Sequence, residues 1–239
     1  MHRNYKTPPI HEAVVEFQFV SSEERDPTIP GKFQLHKLIG DQYQGKPEVH
    51  RKYNSSISDN GVSIKKGPEL AFLKNNDGKR LVLIGHNTLS IVSLKPYEGW
   101  GEFKPRIRNA LRAFFDIVKP ESVARIGLRY INFVPLTGPD YTLYLNSPPV
   151  IIPDLPKVDS FGSVTVHTYE DLVKLKISQA TVDNQGTPIA VVVDLDVIWV
   201  GIETDVEETI KLVEELHSRE VNAFEKLITD YAREVFGGQ

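Results

Sequence analysis

The chain has no cysteine. That excludes a disulfide framework, a thiolate nucleophile and a cysteine-ligated metal. No apolar run is long enough to span a bilayer. The opening residues Met1-His2-Arg3-Asn4-Tyr5-Lys6 lack the apolar core of a signal peptide. The expectation is a cytoplasmic protein with no membrane partner. A phosphate loop, a glycine-rich dinucleotide fingerprint, His-Glu-x-x-His and Gly-x-Ser-x-Gly are all missing. The seven histidines are scattered and none has zinc spacing. No cofactor and no catalytic residue is nominated.

What is present is ordinary for a globular chain: 239 residues, 40% hydrophobic and 25% charged, enough for one large domain or two small ones. A net charge of −4 gives no global attraction to nucleic acid or anionic lipid. The charge is unevenly placed. Ten acidic and four basic residues fall between Glu203 and Glu234, and eight basic and four acidic between Lys95 and Arg129. The simplest expectation is that these two stretches face each other or face water.

Alternation marks the strands. Ala13, Val15, Phe17 and Phe19 share one face of the first, with Glu12, Val14, Glu16 and Gln18 on the other. A short helix is expected after Pro30, carrying Phe33, Leu35, Leu38 and Ile39. Turn signals at Asp59-Asn60-Gly61 and Asn75-Asn76-Asp77-Gly78 divide residues 47–95 into an antiparallel meander. Apolar residues three and four apart from Trp100 to Val118 predict a helix ended by Lys119-Pro120. The run from Val123 to Val134 reads as a long strand in which Gly127 marks a bulge or a close approach. Two further strands are expected over about Ser163–Thr181 and Thr187–Val200, the first irregular near Glu170-Asp171. A long helix from Asp205 to Phe236 should close the chain, its apolar stripe interrupted by His217 and Glu220.

The fold class is therefore α+β: a strongly twisted, mostly antiparallel sheet packed by a central helix and a long C-terminal helix. The expected organisation is one α+β domain over 1–239. Two similar lobes, 1–119 and 120–239, and a proline- and glycine-rich loop over 135–160 are read within it.

Two charged constellations stand out as candidate sites. Arg125, Arg129 and Asn132 lie at strand spacing, where paired arginines can grip a carboxylate or phosphate. Lys104, Arg106, Arg108 and Arg112 give the central helix a basic face suited to phosphate. Asp194 and Asp196 point to one side of a strand and form a weaker candidate metal pair, joined by Glu16 in a metal-dependent enzyme reading. The competing structural reading is a cross-strand charge ladder with Arg125 and Arg129, or with Lys174 and Lys176. Tyr97 and Trp100, where a loop enters the central helix, read as a hydrophobic staple into the core. His217 and Glu220 read as a polar break in the last helix.

Several segments together resemble a sporadically distributed bacterial family of conserved hypothetical proteins. They are Tyr5-x-x-Pro-Pro-Ile-x-Glu-Ala-Val, Tyr97-x-x-Trp100-x-x-Phe103, Arg125-Ile-Gly-Leu-Arg-Tyr-Ile-Asn132, and Leu216-His217 with Phe224 and Ile228-Thr229. The resemblance covers nearly the whole chain except the 135–160 loop. It implies no activity and no catalytic residues. It implies an accessory role of the kind found in phage defence or toxin–immunity systems. The functional expectation is a non-enzymatic recognition or regulatory module with a protein partner or self-association. The alternatives are a nucleic-acid-binding accessory protein using the 104–129 region and a metal-dependent enzyme using Asp194 and Asp196.

Overall fold

The structure, a computed structural model, describes residues 5–20, 29–58, 61–138, 140–150, 152–156, 158–184 and 187–238. The turn read at Asp59-Asn60-Gly61 and the side chain of Phe33 fall outside that description.

The strands in chain order are β1 (Ile10–Val20), β2 (Glu48–Ser58), β3 (Gly61–Lys74), β4 (Arg80–Ile84), β5 (Thr88–Leu94), β6 (Ser122–Pro135), β7 (Gly162–Thr168), β8 (Lys174–Asn184) and β9 (Thr187–Glu203). The helices are α1 (Ile29–Ile39), α2 (Trp100–Val118), α3 (Val206–Leu227) and α4 (Asp230–Val235). The nine strands form one sheet in the order β2-β3-β4-β5-β1-β6-β9-β8-β7, with every neighbouring pair antiparallel. The protein is thus α+β with a large antiparallel sheet, as the alternation of its strands predicts.

The element order repeats. β1, an excursion, the β2–β5 meander and α2 are followed by β6, an excursion, the β7–β9 meander and α3. In each run the opening strand pairs with the last strand of its own meander, and β1 pairs with β6 at the centre.

One sheet face is buried because the apolar side chains alternate in phase. Ala13, Val15, Phe17 and Phe19 of β1 join Ile126, Leu128 and Tyr130 of β6 and Val193, Leu195 and Val197 of β9 in a continuous core. The helices close over that face. Phe19 stacks on Phe114 of α2 at 4.4 Å between ring centroids, and Ile210, Val213 and Leu216 of α3 are buried in the same cluster. The opposite face carries Glu16, Arg125, Arg129 and Asp194, which pair across strands.

α2 starts at Gly99, whose φ of 86° suits glycine, and ends at Lys119 in the left-handed region just before Pro120. Asp205 caps α3 by accepting hydrogen bonds from the Glu207 and Glu208 amides at 2.7 and 2.9 Å.

Two expectations need correction, and a third is decided between its alternatives. Residues 163–181 do not form one irregular strand. They form the β7–β8 hairpin, with Thr168 opposite Lys174. Its turn lacks an Asn-Gly signal because Leu172 itself adopts φ 64°. Asp171 in that turn is gripped by both terminal nitrogens of Arg219 on α3, at 2.8 and 2.5 Å. Second, the last helix is not continuous to Phe236. Ile228 is extended and bridges Leu145, and Asn146 donates to the Lys226 and Ile228 carbonyls at 3.0 and 2.8 Å. The helix end is satisfied from outside, and Thr229 caps α4. Of the two readings of Gly127, the close approach is the one found: the guanidinium of Arg125 lies over it, 3.0 Å from where a Cβ would stand, while the register shift falls between Val123 and Arg125.

Candidate functional site

A cavity of about 530 Å³ opens where the two runs of the chain meet. Four separate segments wall it, and each arrives for a local reason. The first is Tyr5 to Ile10, held extended by Pro8-Pro9. A register shift between Ile10 and Glu12 places Ile10 opposite Asn132, and both line the cavity. This segment is tied down by Thr7, whose amide donates to the Phe236 carbonyl at 3.1 Å. The Phe133 amide also donates to the Pro9 carbonyl at 2.9 Å. The second is the approach to α2, with Tyr97 and Trp100. The third is the inward face of β6, with Tyr130 and Asn132. The fourth is α3, where His217, Glu220, Val221 and Phe224 fall at i, i+3, i+4 and i+7 on one face. All four segments that carry the family resemblance therefore contribute side chains to one cavity.

The polar groups inside form a chain. The hydroxyls of Tyr97 and Tyr130 are 3.0 Å apart, and the Tyr130 hydroxyl is 3.4 Å from Nδ1 of His217. The His217 ring lies on Trp100 at 3.8 Å between centroids, with 19° between planes. Burial pushes both phenols well above the ordinary tyrosine pKa, so they remain neutral hydrogen-bonding groups. Asn132 donates through Nδ2 to the Val193 carbonyl at 3.2 Å.

Glu220 is the outlying member. Its residue is 4% exposed. Burial, with the nearby Glu225 carboxylate second, raises its pKa to about 8. It makes no hydrogen bond and no ion pair among the described residues. The other acids at the cavity are matched: Glu98 by Arg106 and by Arg80 at 2.9 Å, and Glu225 by the Tyr5 hydroxyl at 2.5 Å and by Arg233 at 2.9 Å. A buried carboxylic acid, an imidazole and two phenols around one space can bind a polar group and exchange a proton with it.

Most of the sequence-nominated residues lie elsewhere. Arg129 grips Asp194 with two hydrogen bonds of 2.8 and 2.7 Å on the opposite sheet face. Arg125 donates to Glu16 at 3.1 Å on that same face. Asp196 is held above the ordinary aspartate pKa by burial, which Arg125 and Arg129 partly offset. These residues form the cross-strand ladder. Among the described residues no group of three or more potential ligands surrounds Asp194 and Asp196. Arg106 is a correction: it is not on an exposed basic face but 3% exposed, bonded to Glu98, to the Val92 carbonyl at 2.8 Å and to the Tyr43 hydroxyl at 3.2 Å. Lys104 pairs with Glu214 at 2.7 Å. Arg112 and Arg108 reach Glu207 at 2.6 and 3.6 Å. The basic helix and the acidic helix therefore answer each other. Of the nominated binding residues, Asn132 alone lines the cavity.

Tyr97, Trp100, Tyr130, His217 and Glu220 were not legible as a site. The one signal was the polar interruption of the α3 stripe at 217 and 220, together with the resemblance segments, whose meeting point only the fold shows.

No protein-family model matches the chain, and no curated protein matches it. Among solved structures, the S. pombe Pct1 RNA triphosphatase in complex with the Spt5 CTD aligns over 96% of this chain and 83% of that chain. It does so at 7% identity and a TM-score of 0.13, which carries no argument about fold or function.

Proposed function

We propose that the protein is a recognition module that takes a small molecule into the cavity walled by residues 5–10, 97–101, 130–132 and 217–225. The observation that carries this reading is Glu220. Burying a carboxyl group without a partner costs stability, and such a group persists where a ligand or a reaction uses it. An apolar, aromatic-lined space with a few convergent polar groups is also the usual form of a small-molecule site. Because both runs of the chain supply walls, an occupant would tie them together and shift the balance of any motion between them. This makes the module regulatory as well as receptive. The reading includes membership of the resembling family, a cytoplasmic setting and a protein partner that reads the occupied state. No helix among the described residues is long and apolar enough to cross a membrane.

The ligand site is tested with Trp100 as reporter. The chain has two tryptophans, so Trp199→Phe leaves Trp100 as the only indole. A diverse fragment set should contain members that change Trp100 emission saturably and compete with one another. Val221→Phe, which fills the cavity without adding a second indole, should abolish those responses. A set that produces no response sinks the reading.

A further inference from the structure

Resting on the small-molecule reading above, we infer that the cavity takes an organic cation, an ammonium-type group met by the Glu220 carboxylate among the surrounding aromatic rings. Three observations converge. The first is the charge balance of the lining. Glu98 and Glu225 already have arginines, which leaves Glu220 as the lining acid without a counter-charge among the described residues. Lys6 also lines the cavity but is exposed, and it is not among the charges that act on Glu220. A ligand that brings a positive charge can pair with Glu220 once its proton has left, whereas an anion would gain no counter-charge from it.

The second is the wall chemistry. Tyr5, Tyr97, Trp100, Tyr130 and Phe224 all line the space. Aromatic rings attract cations through their negative faces, most strongly where water is excluded. Combined with a carboxylate, they select an alkylated ammonium over a small hydrated metal ion, which would need several oxygen ligands. The third is size: about 530 Å³ holds a small organic molecule and is far larger than an ion needs.

Burial pushes the Glu220 carboxyl up to about 8, so at neutral pH it carries a proton. A cation arriving at neutral pH therefore displaces that proton to solvent and leaves a carboxylate–ammonium pair. The other ionisable groups that line the cavity are Tyr5 and Lys6 from the first segment, Tyr97 and Glu98 from the approach to α2, Tyr130 from β6, and His217 and Glu225 from α3. Tyr97 and Tyr130 stay neutral throughout this range.

The experiment uses the full chain carrying Trp199→Phe and reads Trp100 emission at constant ionic strength. The probes are tetramethylammonium, choline and benzyltrimethylammonium, with 3,3-dimethyl-1-butanol as the neutral carbon analogue of choline. At least one ammonium should bind about tenfold or more tighter than the neutral analogue. Glu220→Gln should remove that preference while Glu220→Asp retains part of it, both variants being checked for native circular dichroism. Calorimetry of the bound ammonium in buffers of different ionisation heat should show proton release. Equal binding of choline and its analogue, or a preference that survives Glu220→Gln, overturns the cation. If no ammonium binds but neutral fragments do, the cation inference falls and the small-molecule reading stands. If nothing binds, both fall.

Discussion

The indole of Trp100 lies flat on the imidazole of His217, and the same imidazole reaches the Tyr130 hydroxyl through Nδ1. One α3 side chain thus joins the start of α2 to the inward face of β6. His217→Ala removes the stacking and the hydrogen-bond partner together, at an expected cost of about 1–3 kcal/mol. In the Trp199→Phe background, Trp100 emission should also move to the red. His217→Phe keeps a ring on Trp100 and should recover part of the stability. Urea unfolding followed by circular dichroism measures both variants. Equal losses for Ala and Phe would show that the stack contributes nothing.

Glu220 gives the protein a pH dependence of definite sign. Its folded pKa, about 8, lies above the ordinary glutamate value of 4.5. Below 4.5 both folded and unfolded forms are protonated and no penalty exists. As pH rises toward 8 the unfolded chain ionises while the folded one does not, so stability falls. The full loss is roughly 3–5 kcal/mol. Glu220→Gln should cancel that component. The stability difference between variant and parent should therefore grow from pH 5 to pH 8 in urea titrations. A constant difference would mean that Glu220 ionises normally.

Two arginines two residues apart on α2 should behave very differently. Arg106 is buried against Glu98, and Glu98 has a side chain only 6% exposed. Arg106→Ala leaves that carboxylate with the half-exposed Arg80 alone and takes the donor from the Val92 carbonyl and the Tyr43 hydroxyl, and should cost about 2–4 kcal/mol. Arg108, partly exposed and 3.6 Å from Glu207, should cost no more than about 1 kcal/mol. Comparable costs for the two would contradict the burial of Arg106.

The Arg129–Asp194 pair lies on the exposed sheet face, with Arg129 about half exposed. Asp194→Asn should therefore change stability by about 1 kcal/mol or less. If Asp194 and Asp196 are only rungs of a charge ladder, millimolar Mg²⁺ should leave the melting temperature where a chelator leaves it. A rise with Mg²⁺ that disappears in Asp194→Asn would restore the metal reading.

Thr229 caps α4 by accepting from the Ala232 amide at 3.2 Å, and its hydroxyl donates to the Leu143 carbonyl. Thr229→Ala should cost about 1 kcal/mol. Thr229→Ser, which keeps the oxygen, should cost less. Thermal unfolding of the pair separates the cap from the methyl group.

The strands and the two main helices were legible because their periodicity is local. The alternation through Ala13, Val15, Phe17 and Phe19 declares a buried face without reference to any partner. The β7–β8 turn was not, because Leu172 holds a positive φ that no turn residue announces, and Arg219, distant in sequence, secures it. The break at Ile228 likewise depends on Leu145 and Asn146, more than eighty residues earlier. The charged stretches were legible as partners: α3 supplies Glu207 and Glu214 to Lys104, Arg108 and Arg112, as the opposed runs of charge suggest. The same basic residues read as a phosphate-binding face only while α3 is left out. His217 and Glu220 were visible as an oddity in a helix stripe. That they meet Tyr97, Trp100 and Tyr130 is a property of the fold alone.

The placement of β1 also bears on how the chain must be made. It is the first strand in sequence but fifth in the sheet, between β5 and β6. Its second partner is complete only at Pro135, about 115 residues after Val20. At about 5–20 residues per second, the nascent strand waits roughly 6–23 s with its second edge unpaired. Glu12 and Glu16, on the face away from its aromatic residues, are suitably placed charges to discourage that segment from pairing with its copies on neighbouring ribosomes.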